Sequence, residues 1–239
     1  MCGRYSETRP FDHVRERIPF DVAELSFTPR FNIAPTQTAP VVVQRDQRAL
    51  SAMRWGLIPF WAKDESIANK LFNARAETIR EKPAFRAAFK SRRCLVPADG
   101  FYEWRKLPGC TLKQPYRFLL KSREPFAFAG LWECWRNAEG EPVQSFTILT
   151  TEANDLVRAT HHRMPVILPP EAYEPWLDPK YSDLEKLAAL LKPFPAETMS
   201  EYAVGRHVNN SRVDSPACAE PLPPPEAPPT NFRETFSFM

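Results

Sequence analysis

Proline constrains this chain more than any other residue: 26 of its 239 residues are proline, against 7 glycines. A proline fixes its own φ and removes an amide donor, so it interrupts helices and the interiors of sheets. A chain so punctuated folds as short elements joined by rigid turns. With 43% apolar residues it still has enough material for a proper core, in one generous domain or two small ones.

The elements follow from periodicity. Phe11, Val14 and Ile18 recur at helical spacing up to Pro19. Residues 31–36 read as extended chain leading into a loop. Val41-Val42-Val43 and residues 50–57 read as strands of a hairpin that turns at residues 45–48. Pro83 is placed to open a helix with Phe85 and Phe89 on one face. Residues 95–104 read as strand, turn and strand. Residues 116–120, 126–135, 145–150 and 166–168 read as further strands. Short helices are predicted after Ala153, over 171–176 and over 183–191, the last strongly amphipathic. Strands dominate, helices stand singly and no βαβ unit repeats. The fold class predicted is α+β on a curved, largely antiparallel sheet. Residues 221–229 are proline-dense and read as a solvated, extended tail.

Several functions are excluded or left without support. No glycine-rich phosphate loop is present, which removes the common nucleotide-binding folds. The five cysteines show no CxxC pair and no Cys/His spacing of a zinc site, so no metal and no cofactor are predicted. No apolar signal region opens the chain and no apolar run approaches the ~20 residues of a membrane span. A cytoplasmic location is expected. The net charge of +3 is compatible with a nucleic-acid partner and does not require one.

Four features carry chemistry. Cys2 follows the initiator methionine, and removal of Met1 would leave a 1,2-aminothiol, its amine titrating near ~8 and its thiol near ~8.5. Such a pair condenses with an aldehyde to a Schiff base that the thiol closes to a thiazolidine, or it serves as nucleophile and base in acyl transfer. The alternative is that Cys2 merely follows the start codon. In Gly100-Phe101-Tyr102-Glu103-Trp104, a strand puts Phe101 with Glu103 and Tyr102 with Trp104. Glu103 is then either a buried acid with a raised pKa, suited to proton exchange, or a solvent-facing residue beside core aromatics. Asn73 and Arg75 share a face if extended, as recognition of a sugar and a phosphate wants, or as an ordinary polar edge provides. His161 and His162 beside Arg163 are either proton shuttles or a helix C-terminal cap; on extended chain their rings would point opposite ways. The aromatic stretch 55–61 is core filler if buried and a stacking platform for unpaired bases if exposed.

Taken in order, Met1-Cys2-Gly3-Arg4-Tyr5, Phe31-Asn32-Ile33-Ala34-Pro35-Thr36, Trp55-Gly56-Leu57-Ile58-Pro59, Asn73-Ala74-Arg75-Ala76-Glu77-Thr78, residues 97–104 and His161-His162-Arg163-Met164-Pro165 resemble the SRAP family of SOS-response-associated peptidases and abasic-site-shielding proteins. The resemblance spans residues 2–220 as one domain and leaves 221–239 as a tail. It implies a barrel-like sheet with peripheral helices. It also implies a crosslink between Cys2 and the aldehyde of an abasic site in single-stranded DNA. By motif position Asn73 senses the abasic site, Glu103 is the acid/base and His161 assists opening of the sugar ring. Gly3, Arg4, Arg75, Trp104, Thr150 and Arg163 form the DNA-contacting set. His162 stands where the family more usually has an acidic or small polar residue. Met1 leaves by an aminopeptidase or by the self-cleavage that the peptidase label implies. The competing readings are an N-terminal-nucleophile hydrolase of the class II glutamine amidotransferase type and a non-covalent single-strand-binding module. The first lacks its asparagine-glycine signature here, and the second leaves Cys2 and Glu103 without a role.

Overall fold

The structure is a computed structural model that describes residues 2–26 and 28–223. Five strands close a barrel: β4 (Thr38–Gln44), β5 (Arg48–Trp55), β7 (Arg93–Ala98), β10 (Phe126–Arg136) and β11 (Pro142–Glu152). Four of its seams are antiparallel. The fifth is parallel, with Phe146 of β11 beside Trp55 of β5. The barrel sheet is extended by β2 (Val22–Ala23) on β5, by β6 (Asn73–Arg75) and β12 (Arg163–Pro165) on β11, and by β13 (Ile167–Leu168) on β10. A second, wholly antiparallel sheet runs in the order β14 (Met199–Ala203), β9 (Gln114–Leu120), β8 (Gly100–Arg105), β1 (Tyr5–Glu7), β3 (Arg30–Ile33).

Side-chain alternation sorts the core into two layers. Val41, Val43, Cys94, Val96, Phe128, Phe146 and Ile148 point inward, to a cluster that takes in Cys2, Tyr5, Phe101 and Phe118 of the second sheet. Val42, Leu95, Ala127, Ala129 and Leu149 point outward and are covered by the helices. These helices are α1 (Phe11–Arg17), α2 (Arg86–Ser91), α4 (Tyr173–Leu177) and α5 (Leu184–Ala189), which bury Val14, Phe89, Trp176 and Leu187 there; α3 (Asp155–Arg158) buries Val157 on the inner side instead. Buried Arg93 ties two helix ends to the barrel. Its guanidinium donates to the carbonyls of Phe89 (2.8 Å), Lys90 (2.6 Å), Trp176 (2.6 Å) and Asp178, orphan acceptors of the kind helix C-termini leave.

The α+β class and the curved, barrel-like, mainly antiparallel sheet with peripheral helices are what the structure shows. Details differ. The helix expected from Pro83 begins at Arg86, because Phe85 and Arg86 first turn onto the Lys82 carbonyl. The two strands read within residues 95–104 belong to different sheets, and Asp99 is where the chain crosses from barrel to second sheet. The stretch 55–61 divides. Trp55, Leu57 and Ile58 are fully buried, whereas Phe60 is 60% and Trp61 48% exposed. Gly56 makes that change of direction, with φ +130 and a position where a Cβ would sit 2.7 Å from the Ala68 carbonyl oxygen. Of the expected tail, Pro221 bridges to Val204 and the Leu222 amide donates to Ala203; residues 224–239 lie outside the described residues.

Candidate functional site

The site begins where the chain begins. β1 pairs with β8 with Tyr5 opposite Phe101, and the Tyr102 amide donates to the Arg4 carbonyl (3.0 Å). An antiparallel pair so registered lays the residues before Tyr5 alongside those after Phe101. Cys2 is therefore packed into the barrel-side cluster with no exposed surface. Burial, and next the charge of Glu103, push its thiol up to about 12. The thiol donates to the Arg4 carbonyl (3.7 Å). This corrects the expectation of a partly ionised thiol near ~8.5, which holds only for a solvated cysteine.

Glu103 shares a face of β8 with Phe101, and that face is the interior one. The carboxyl residue is 5% exposed, and burial pushes it up to about 7. Tyr102 and Trp104 take the opposite face, where Tyr102 packs with Val204, Val208 and Cys218. The Trp104 indole donates to the Asn209 side-chain oxygen (2.7 Å). Trp104 is thus turned away from Glu103.

His161 sits in the bend between α3 and β12. Its Nδ1 lies within hydrogen-bond distance of both the Arg163 amide (3.0 Å) and the Arg163 carbonyl (3.1 Å). Burial holds its pKa below the ordinary histidine value, and His162 and Lys113 act in the same direction. The rings of His161 and His162 stack 4.4 Å apart, not on opposite sides, because the backbone bends there. His161 is half-buried and His162 exposed.

The barrel supplies the facing elements. β6 runs parallel to β11 with Asn73 beside Ile148 and Arg75 beside Thr150. Asn73 Nδ2 donates to the Phe72 carbonyl (3.0 Å), while its buried Oδ1 has no hydrogen-bond partner. Phe72 and Ile148 pack against the cluster that holds Cys2, which brings Asn73 to the same region. Thr150 is fully buried, its hydroxyl on the Ala74 carbonyl (3.4 Å). Arg75 is exposed. Arg163 is engaged: it grips both Glu77 oxygens (2.6 and 2.9 Å) and the Thr150 carbonyl (2.6 Å). Arg4 is half-buried, with one guanidinium nitrogen on the Gly3 carbonyl (2.9 Å). The second sheet thus brings Cys2 and Glu103 together, and the barrel edge groups Asn73, Arg75, Thr150 and Arg163.

Residues 1–211 match the family model described as SOS response associated peptidase. The chain belongs to the SRAP family. It is 45% identical over 223 residues to the abasic site processing protein YoqW of Bacillus subtilis, covering 92% of this chain and 99% of that one. The abasic site processing protein HMCES of Gallus gallus is 33% identical, over 87% of this chain and 70% of its own. A crystal structure of a Bacteroides thetaiotaomicron protein superposes with a TM-score of 0.79 at 31% identity, over 92% of this chain and all of that one.

In this SRAP chain, sequence reasoning missed several residues that the fold brings to the site. Lys113 lies close enough for its charge to act on both Glu103 and His161. Glu77 anchors Arg163, and Arg105 follows Glu103 on the same face of β8. Only the two-residue period past Glu103 could have found Arg105; nothing local marked Lys113. Among the described residues, no helix is long and apolar enough to cross a membrane, and no group of three or more His, Cys, Asp or Glu could hold a metal ion.

Proposed function

We propose that this SRAP protein recognises abasic sites in single-stranded DNA and shields them as a covalent adduct on Cys2. The relatives named above are abasic site processing proteins. In this reading Met1 is removed first, by an aminopeptidase or by the chain's own peptidase chemistry, and Cys2 gains a free amine. The protein acts in the cytoplasm, on damaged nucleoid DNA.

The abasic sugar is a closed hemiacetal. Opening it moves a proton from the C1 hydroxyl and delivers one to the ring oxygen, the exchange assigned to His161. The Cys2 amine adds to the freed aldehyde and water leaves, giving a Schiff base, the lyase-type intermediate. Sγ then bonds to the same carbon, and the thiol proton passes through Glu103 to the nitrogen, completing a thiazolidine. Aldehyde and aminothiol become thiazolidine and one water. A thiol raised to about 12 arrives with its proton on, so a neighbouring base is required. A carboxyl near 7 both takes and returns that proton at neutral pH. Asn73, with an unpaired Oδ1, is assigned to a hydroxyl of the sugar. Gly3, Arg4, Arg75, Trp104, Thr150 and Arg163 are assigned to the DNA strand around it.

The observation that carries this reading is that Cys2 and Glu103 are both buried, near enough for the Glu103 charge to act on the Cys2 thiol. The protein is to be incubated with a single strand carrying one abasic site, with the intact strand and with glutamine, then denatured. A product that survives denaturation and has the mass of protein plus DNA minus one water is expected from the first alone. Hydrolysis of glutamine with no adduct would instead mark an N-terminal-nucleophile hydrolase. Reversible binding to both strands would mark a non-covalent module.

A further inference from the structure

The two catalytic assignments sit on different parts of the fold, Glu103 in the second sheet and His161 on the bend leading into β12, which extends the barrel sheet. Something has to hold them in register. One side chain that crosses the seam is Arg105. It lies two residues beyond Glu103 on the same face of β8, and its guanidinium stacks 4.0 Å from the ring of Tyr116, the residue of β9 paired with Glu103. Beyond Tyr116 it reaches β14, where one terminal nitrogen bonds both oxygens of Glu201, each at 2.6 Å. Its Nε donates to the Thr160 hydroxyl at 2.8 Å, and Thr160 immediately precedes His161. The Arg105–Glu201 pair is four-fifths shielded from solvent, so its geometry is held more firmly than that of an exposed ion pair.

We propose that Arg105, braced by Tyr116 and Glu201, is a positioning residue that docks the Thr160–His161 bend over Glu103 and so places His161 at the sugar ring. The inference rests on the reading of His161 given above. A planar guanidinium suits the task because its face, one terminal nitrogen and its Nε bind three different partners at once. A lysine keeps the charge and loses that arrangement.

The role separates from general structural support through the substrate. His161 is needed only while the sugar is a closed ring. The test uses single strands with one natural abasic site and single strands with an abasic analogue lacking the C4 hydroxyl, whose aldehyde cannot cyclise. Thr160→Val removes the hydroxyl that Arg105 holds and keeps the shape; Thr160→Ser restores it. Thr160→Val is expected to slow crosslinking of the natural site by about 5- to 10-fold, the scale of one lost hydrogen bond. It should leave the rate on the open analogue and the affinity for the strand unchanged, and Thr160→Ser should recover the rate. Arg105→Lys should follow Thr160→Val. In the His161→Ala background, Thr160→Val should have no further effect, because both act through one group.

A wild-type rate for Thr160→Val on the natural site would overturn the proposal. So would an equal loss on both substrates, or a loss that adds to that of His161→Ala. The underlying reading fails differently. If wild-type protein forms no adduct with either strand, the crosslinking function itself is wrong. If His161→Ala crosslinks the natural site at the wild-type rate, the role of His161 and the docking role fall together.

Discussion

The two ends of β8 carry two carboxyls that are equally hidden and opposite in character. Asp99, 4% exposed, stands just before the strand, and Glu103, 5% exposed, lies within it. Asp99 is enclosed by partners. Ser6 Oγ and Arg117 Nη2 each donate to it at 2.7 Å, and the Thr8 hydroxyl and amide complete its shell. Burial works to raise its pKa, but Arg117 and the hydroxyls of Thr8 and Ser6 override that and hold it below the ordinary aspartate value. At Glu103 burial wins, and the carboxyl titrates at about 7. Equal burial therefore leaves the two carboxyls shifted in opposite directions. The end held by Arg117 fastens β1, β8 and β9 together, and at the other end the Glu103 charge acts on the Cys2 thiol.

That contrast is open to attack. The largest effect is expected at the fastened end: Arg117→Met leaves Asp99 buried without its cation and should cost about 3–5 kcal/mol in denaturant unfolding. Glu103→Gln, judged by the same measurement, should leave stability at neutral pH unchanged or higher. Matching losses at both ends would mean that Glu103 is structural too. Next in size, Glu103→Gln should slow crosslinking by roughly 10²-fold, because the amide keeps the shape and cannot cycle a proton. The wild-type rate should bend near pH 7, and that bend should vanish in the variant.

The smallest effect is a slope in stability against pH. Between the unfolded glutamate value of 4.5 and about 7, the folded Glu103 keeps a proton that the unfolded chain has released. Stability should therefore fall as pH rises through that window, by no more than about 1.4 kcal/mol per unit, and Glu103→Gln should flatten the fall. Asp99 has the opposite sign: its contribution is complete above 3.8 and is lost as pH drops below it, which Arg117→Met should abolish. Unfolding followed from pH 3 to 9 reads both.

Elements were legible where periodicity is local. The β-branched strand at Val41–Val43, the hairpin at residues 45–48 and the opposite facing of Phe101/Glu103 and Tyr102/Trp104 need no tertiary knowledge. The barrel-like sheet came only from the family resemblance, because the parallel seam of Phe146 with Trp55 joins segments some ninety residues apart and leaves no local signature. For the site, the motif residues could be named in advance, but their electrostatics could not. A thiol near ~8.5 is a property of solvated cysteine, and only the folded interior moves it to about 12. The stacked rings of His161 and His162 depend on a bend that sequence spacing does not reveal. The two-residue period could put Arg105 on the face of Glu103, but its partners, Thr160 and Glu201, come from elements far along the chain and were not legible.

The central claim is that amine and thiol act as one unit on Cys2, and one added residue tests it. An alanine placed between Met1 and Cys2 keeps the thiol and converts the Cys2 nitrogen permanently into an amide, so a thiazolidine there is chemically impossible. Intact mass after incubation with an abasic single strand is the measurement, on protein confirmed to retain the extra residue. The account predicts a denaturation-stable adduct of protein plus DNA minus one water for the wild type. For the insertion variant it predicts retained DNA binding without such an adduct. A stable adduct forming on the variant at the wild-type rate would contradict it.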